Sequence, residues 1–444
     1  MAAQTSTVVF GWSPLIVSSA LFLATYALVI TEKVNRSIVA LLGAGLLVLL
    51  GVLNQEAALK GIDFNTLGLL LGMMVIVGIT SHSGVFQFVA IWSAKRVSAH
   101  PLGVLVMLSA VTAVFSALLD NVTTVLLIVP VTLLITDQLK VSAYPYLVAE
   151  VLMSNIGGSA TLIGDPPNIM IGSAVGLSFN AFIVNLAPPA LVIGPITLAI
   201  VAWLSRKELI ATAKTRAQVM GFDEREAITD PRLLKQSLAV LALVMAGFVA
   251  SHAVGIQPAT IAIFGAAVLL LLDNYHRSGG DQSKRVHHAY AAVEWITLFF
   301  FVGLFILVHA LETAGVIHWL AERLLALTGG DFRTTALAIL WGSAILSAFL
   351  DNIPFVATMI PLIESTADTF GGKEALGPLW WSLALGACLG GNGTLIGASA
   401  NLIVAGFAER AGHPISFLRF LKSCFPLMLV SIAISHVYVV WRYL

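Results

Sequence analysis

The chain has 444 residues; 58% are hydrophobic, 37 are glycine and only 10% are charged, and its 23 basic and 23 acidic side chains cancel. A soluble domain is about 45–50% apolar with glycine included and about 25% charged. Such a domain, a disordered chain and a disulfide-stapled scaffold are excluded, and an all-α polytopic membrane protein remains. The neutral balance carries no nucleic-acid footprint. Two cysteines in apolar surroundings, Cys388 and Cys424, specify neither a metal cluster nor a disulfide framework.

The start, MAAQTSTVVFGWSP, has no basic n-region, so no cleaved signal peptide is expected and the first span is predicted to serve as its own insertion signal. Residues 64–94, 166–205, 236–272 and 375–408 hold no Asp, Glu, Lys or Arg. About 20 apolar residues cross a bilayer as helix, so the longer runs hold more than one segment or a broken one. Continuous runs such as FFFVGLFIL lack the alternation of an outer-membrane barrel. Helical segments are predicted at 14–31, 37–54 and 64–81, then a pair at 102–118 and 122–136, a long segment at 146–174 and another at 181–204. The charged stretch 205–234 is expected to be a cytoplasmic linker with a surface helix over KELIATAKTRAQVMG. The second half then gives 236–252, 257–273 and 295–311, a pair at 334–350 and 353–366, and segments at 376–406 and 415–440. The loop 274–291, with His287 and His288, is expected to face solvent rather than bind metal. Trp12, Trp380, Trp381 and Trp441 fit interfacial anchors.

The two halves repeat. The block beginning at Phe64, FNTLGLLLGMMVIVGITSHSGV, aligns with WITLFFFVGLFILVHALETAGV at Trp295, and the DNVTT at Asp120 aligns with the DNIPF at Asp351. Further on, NIGGSATLIGDPPN from Asn155 aligns with CLGGNGTLIGASAN from Cys388. A duplication is expected, dividing the chain into repeats at 1–204 and 235–444. An odd number of crossings per repeat inverts the second copy. With both paired segments as re-entrant hairpins and five crossings per repeat, 18 of the 23 basic residues fall on the side of the linker and five on the other. That bias predicts a plasma (inner) membrane protein with ten crossings, the linker inside and both termini outside.

Polar chemistry gathers at equivalent places in the two repeats. One hairpin tip carries Asp120, Asn121, Thr123 and Thr124; the other carries Asp351 and Asn352. A carboxylate at membrane depth needs a partner or a water-filled cavity. Each Asp also suits capping of the helix that follows. The long segments hold Asn155, Gly158, Ser159, Thr161, Asp165 and Asn168, and Gly391, Asn392, Thr394 and Asn401. Pro166 and Pro167 cannot donate to a helix, and the glycines ease non-helical backbone. Both segments are therefore predicted to be discontinuous helices, which a membrane tolerates only inside protein or beside a water-filled cavity. Asp165 has Ala398 as its counterpart and no acidic twin. Asp120, Asp165 and Asp351 are the candidates for proton coupling or for holding a sodium ion, with the Asn, Ser and Thr groups around a polar solute. No Lys or Arg falls at the centre of a predicted span, which favours a neutral solute or a cation. For His82 and His309 a packed or interfacial place is expected, as for Glu150. Asp63 and Glu294 precede equivalent spans and fit helix N-terminal charge stabilisation. Gly43, Gly45, Gly68 and Gly72 are expected to serve helix packing.

The LLDNVTTVLLIVPV and NIGGSATLIGDPPN blocks resemble the ArsB/NhaD permease family of the ion transporter superfamily, in its P protein-like branch. The resemblance spans essentially the whole chain. It implies two inverted repeats, each with a scaffold part and a transport part, a solute site between hairpin tips and broken helices, and elevator-like movement. It implies one site at Asp120, Asn121, Thr123 and 157–168 and a second at Asp351, Asn352 and 390–401. The change from DNVTT to DNIPF argues against two identical ion sites, and Asp-Asn in place of the Ser-Asn-Thr of dicarboxylate carriers counts against that substrate. The expected function is proton-coupled efflux of a small inorganic solute, arsenite or antimonite. Sodium/proton antiport is the first alternative, transport of a dicarboxylate or other anion the next, and a channel or non-transporting membrane scaffold the last. The chain is not expected to be an enzyme. No Walker motif is present, so any ATP hydrolysis in arsenite efflux falls to a separate ATPase subunit. The expected partners are otherwise the solute, the lipid bilayer and a second copy in a homodimer, with no cofactor beyond a coupling Na+ or H+.

Overall fold

The computed structural model describes Val8, residues 11–31 and residues 33–444; the N-terminal stretch for which no cleaved signal peptide is expected lies largely outside them. Among the described residues the fold is all α-helix with short 3-10 turns and no strand. Nine helices among them are long and apolar enough to cross a membrane. Shorter apolar helices cover Arg36–Leu49, Pro258–Asn274 and Asn352–Glu364.

Local chemistry sets most helix starts. Asp63 accepts from the backbone N–H groups of Asn65 and Thr66 at 3.0 and 3.1 Å, and so begins Phe64–Ser81. Asp230 begins Pro231–Val254, Asp331 begins Phe332–Phe349 and Ser416 begins Phe417–Tyr443 in the same way. The two long segments are interrupted. The first is Tyr144–Gly158 and Pro166–Val175, and the second is Gly377–Gly390 and Ser399–Arg410 with a 3-10 turn after its first part.

The order of elements repeats. Helices starting at Phe64, Val85, Pro101 and Asn121 have counterparts starting at Trp295, Val316, Phe332 and Asn352, each 231 residues on. The interrupted segments follow 233 residues apart, Tyr144 with Gly377 and Pro166 with Ser399. The halves exchange partners. Phe64–Ser81 packs on Pro231–Val254 and Pro258–Asn274, whereas Trp295–Thr313 packs on Pro14–Thr31 and Arg36–Leu49. Equivalent glycines permit this: a methyl on Gly72 would meet the backbone of Ala262, and one on Gly303 that of Ala40. Gly43 and Gly68 also sit at tight helix contacts, but Gly45 faces open space, so packing does not explain it.

Several expectations are corrected. Trp380 and Trp381 are buried; Trp381 packs edge-on to Phe182 at 5.3 Å and is no interfacial anchor, while Trp12 and Trp441 remain exposed. Glu150 is fully buried with the Thr132 hydroxyl on its carboxylate, and is not interfacial. The loop 274–291 is mostly helix, Gly279–Ala291. The linker is not free in solvent: Lys95 binds Glu224 and the Phe222 carbonyl, and Thr229 donates from its N–H and its hydroxyl to the carbonyls of Ser83 and His82. Its helix is shorter than expected, Ala213–Met220.

Candidate functional site

Four helix N-termini converge where the junctions at Asp120 and Asp351, between paired helices, meet the interrupted segments. They belong to Asn121–Leu139, Pro166–Val175, Asn352–Glu364 and Ser399–Arg410, and residues from all four line one narrow gap between Asp120, Asp165, Asn352 and Thr297. The residues preceding them are Asp120, Asp165, Asp351 and Ala398. Asp120 accepts from the Thr123 N–H at 2.7 Å and Asp351 from the Ile353 N–H at 3.1 Å, so both cap as expected. Asp165 makes no cap. Its carboxylate instead faces the Asn352 amide at 3.3 Å across the boundary between the halves. The fourth N-terminus, at Ser399, has no acid of its own.

Each break is tied to its hairpin by the same bonds. The hydroxyls of Thr161 and Thr394 donate to the carbonyls of Ala117 and Ala348, which end the first hairpin arms. Those carbonyls are among the free acceptors any helix end leaves. Ser116 and Ser347 donate in turn to the Ser154 and Ala387 carbonyls. The Asn168 amide donates to the Ser159 and Thr161 carbonyls at 3.1 and 2.9 Å, and the Asn401 amide to those of Gly391 and Thr394 at 2.8 and 2.9 Å. The side chains thus supply hydrogen bonds that the broken backbone has lost. The Ser159 hydroxyl turns back to the Ile156 carbonyl. A methyl on Gly158 would collide with the Gly164 carbonyl, and one on Gly391 would lie 3.1 Å from the Gly397 oxygen.

A chain of amides crosses the centre. Asn121 donates to Asn155 at 3.0 Å, and Asn155 donates to Asn392 and Asn401 at 2.9 and 3.0 Å. Cys388, the counterpart of Asn155, lies with its thiol 3.5 Å from the Asn168 side-chain oxygen Oδ1. All these groups are buried. The Asn121 side-chain oxygen and the Thr124 hydroxyl are buried without a protein partner. Thr123 contributes its backbone N–H to the Asp120 cap.

The second tip opens into a cavity of about 310 Å³ that also reaches Tyr26, Glu294, Thr297 and Pro354. Arg36 stands in its wall. The guanidinium donates to Asp351 at 2.9 Å, to the Ser399 hydroxyl at 2.6 Å and to the Thr297 hydroxyl at 3.1 Å, and lies over the Phe300 ring at 5.2 Å. No Lys or Arg was expected at the centre of a span, and Arg36 stands at a helix start, but tertiary packing turns its side chain inward to Asp351, so a base reaches the site. Arg36 and Thr297 were missed because nothing local in sequence links them to Asp351, whereas Ser399 lies within the expected 390–401 stretch. Glu294 sits at the N-terminus of its helix, as expected for charge stabilisation there. It makes no cap bond and lines the cavity, although Asp63 at the equivalent place does cap. Asp120, Asp165, Asp351 and Glu294 outnumber Arg36 here. No group of three or more His, Cys, Asp or Glu among the described residues forms a metal cluster.

Known proteins share this architecture. An uncharacterized transporter of Mycobacterium tuberculosis is 45% identical over 434 residues, covering 96% of this chain and 98% of its own. The 46 kDa membrane protein of Mycobacterium leprae is 42% identical over 433 residues, covering 97% and 99%. The human P protein is 34% identical over 515 residues, covering 96% of this chain but 60% of the P protein. The crystal structure of the Alcanivorax borkumensis YdaH transporter matches with a TM-score of 0.59 at 14% identity, covering 97% and 98% of the two chains, a likeness of fold. The family model described as citrate transporter, CitMHS, matches residues 26–386. With transporters among its relatives and a membrane fold throughout, the chain is a secondary-type transporter of a small solute, not an enzyme, and it belongs to the CitMHS citrate transporter family.

Proposed function

We propose that this protein moves a small carboxylate anion across the membrane together with a coupling cation, by alternating access. The observation that carries the reading is the Arg36 guanidinium in the wall of the 310 Å³ cavity, beside the one N-terminus of the four with no acid of its own. A guanidinium matches a carboxylate in charge and in planar geometry, and a helix N-terminus adds attraction for an anion. The family's citrate-transporter description supports the same class of solute. Arsenite efflux drew support from a pocket without a base, and Arg36 removes that support; with it goes the reason to invoke an ATPase subunit.

Asp351 and Glu294 share the cavity with this single base, and Asp120 and Asp165 line the narrow gap beyond Thr297 and Ser399, so an added anion needs compensation. A proton or sodium ion entering with it supplies that compensation, and Asp165, facing the Asn352 amide near the unpartnered Asn121 oxygen, is the coupling residue in this scheme. The repeated order of elements supports a duplication, the bias of basic residues supports an inverted second copy with re-entrant hairpins, and the exchanged helix pairs supply a scaffold against which the hairpins and broken helices move. The same acid excess favours a second reading, sodium/proton antiport without an anion. Proteoliposomes loaded with a pH-sensitive dye separate the two. The expected result is accumulation of radiolabelled citrate or succinate with dye response to those anions. A dye response to sodium or lithium alone supports antiport, and a response to arsenite or antimonite alone returns the solute to a neutral hydroxide.

A further inference from the structure

We infer that Asp351 is an internal stand-in for the solute, its carboxylate filling the seat that an incoming carboxylate takes on Arg36. This inference rests on the anion reading above and assigns Asp351 the part of a competitor rather than of a ligand.

The geometry supplies the argument. Of the four converging N-termini, three have an Asp in the position before the first helical residue, and the fourth has Ala398. Asp351 splits its oxygens between two of them. Oδ1 caps its own helix at the Ile353 N–H, while Oδ2 reaches to the vacant fourth terminus, where the Ser399 hydroxyl donates to it at 3.2 Å and Arg36 at 2.9 Å. One carboxylate oxygen therefore already sits where guanidinium, hydroxyl and helix end converge. The first repeat has no such arrangement. There Pro166 stands in place of Ser399, Asp165 turns to Asn352, and Asp120 meets the Thr123 N–H.

The pair also joins two parts of the fold. Arg36 and Thr297 lie on the mutually packed helices Arg36–Leu49 and Trp295–Thr313, whereas Asp351 and Ser399 belong to the second hairpin and the second interrupted segment. With Asp351 in the seat, the hairpin is tied to Arg36. An anion that takes the guanidinium displaces the Asp351 oxygen and releases that tie, so occupancy of the cavity and freedom of the hairpin go together. The open volume of about 310 Å³ lies next to the seat and holds the rest of a small di- or tricarboxylate. The nearby Glu294 and Tyr26 set its remaining polar wall.

The test measures binding of radiolabelled succinate and citrate to the full chain in lipid nanodiscs at fixed pH and sodium. Asp351→Asn keeps a side-chain oxygen for the Ile353 N–H and loses only the charge. The expected result is binding about tenfold tighter than wild type, because a like charge leaves the seat and the guanidinium is freed. Arg36→Gln is expected to abolish binding. The double variant Arg36→Gln/Asp351→Asn leaves no unpaired charge and is expected to melt like wild type while still binding neither anion, which separates lost binding from lost folding. Should Asp351→Asn fail to fold, Asp351→Ser, which also caps, replaces it. A folded Asp351 variant that binds no tighter than wild type overturns the stand-in, and the anion reading survives if Arg36→Gln has lost binding. Wild-type-like binding by Arg36→Gln, or no binding of either anion by any variant, overturns the anion reading itself.

Discussion

Asp165 differs from the other acids at the site in what it faces. Asp120 and Asp351 each hold a backbone N–H, but Asp165 gives its carboxylate to Asn352 of the other half and caps nothing. Its removal therefore tests coupling more cleanly than stability. Asp165→Asn is expected to keep the fold and solute exchange but to lose gradient-driven accumulation by at least about tenfold, a loss of the order that one charged contact supports. Counterflow and accumulation assays on the same vesicles check it. Gly158 is the opposite case. Its Cα passes so close to the Gly164 carbonyl that any side chain must push the broken backbone apart. Gly158→Ala is expected to destabilise by about 1–3 kcal/mol, the usual cost of overpacking, seen as a lower melting temperature in detergent. Gly391 has more room, 3.1 Å from the Gly397 oxygen, and its alanine variant is expected to lose less.

At the scale of elements, the linker is an outlying part with its own hold. Lys95, on the helix Val85–Arg96, binds Glu224, and that bond keeps the Glu224 carboxyl below the usual carboxylate range. A carboxyl lowered in this way adds to docking above its ordinary value of about 4.3, and the contribution disappears as pH falls through the lowered value. The hydrogen-exchange protection of the Thr229 N–H, which donates to the Ser83 carbonyl at 3.1 Å, taken relative to the intrinsic exchange rate at each pH, is expected to hold from pH 7 to about 5 and to fall below about pH 4. Glu224→Gln is expected to exchange faster at neutral pH and to lose most of that dependence. An exchange rate in the variant equal to wild type at pH 7 rules out a latch. Most of the spanning helices were legible in sequence because hydrophobic runs and caps are local: 64–81 agrees with Phe64–Ser81, and 102–118 lies within one residue of Pro101–Leu118. The breaks were legible from Pro166, Pro167 and the glycines. The short helices Val85–Arg96, Val316–Thr328 and Gly279–Ala291 were not, since they follow glycine turns or lie in charged sequence. Among the site residues, Asp120 and Asp351 were visible because they repeat. Arg36 was hidden because a single arginine at a span end has the same sequence signature whether it turns out to water or in to Asp351.

For the whole molecule the decisive issue is how the two halves sit in the bilayer. Equal element order alone fits parallel or inverted copies; an odd number of crossings in each requires inversion. The basic residues favour the odd count, with the linker on the cytoplasmic side. Lys140 and Lys373 make a matched probe. They stand 233 residues apart, as the interrupted segments do, each just before one of those segments, and both are exposed. Neither natural cysteine interferes, because Cys388 and Cys424 are buried. Single variants Lys140→Cys and Lys373→Cys, expressed in intact bacterial cells, are expected to react oppositely with a membrane-impermeant maleimide: Lys373→Cys labels from outside and Lys140→Cys only after lysis. Lys60→Cys is expected to label with the first, and Lys214→Cys, in the linker, with the second. Labelling of the Lys140 and Lys373 variants from the same face would make the repeats parallel. Asp120 and Asp351 would then approach the centre from one side, and a solute could not pass from one hairpin's access to the other's by an inverted exchange.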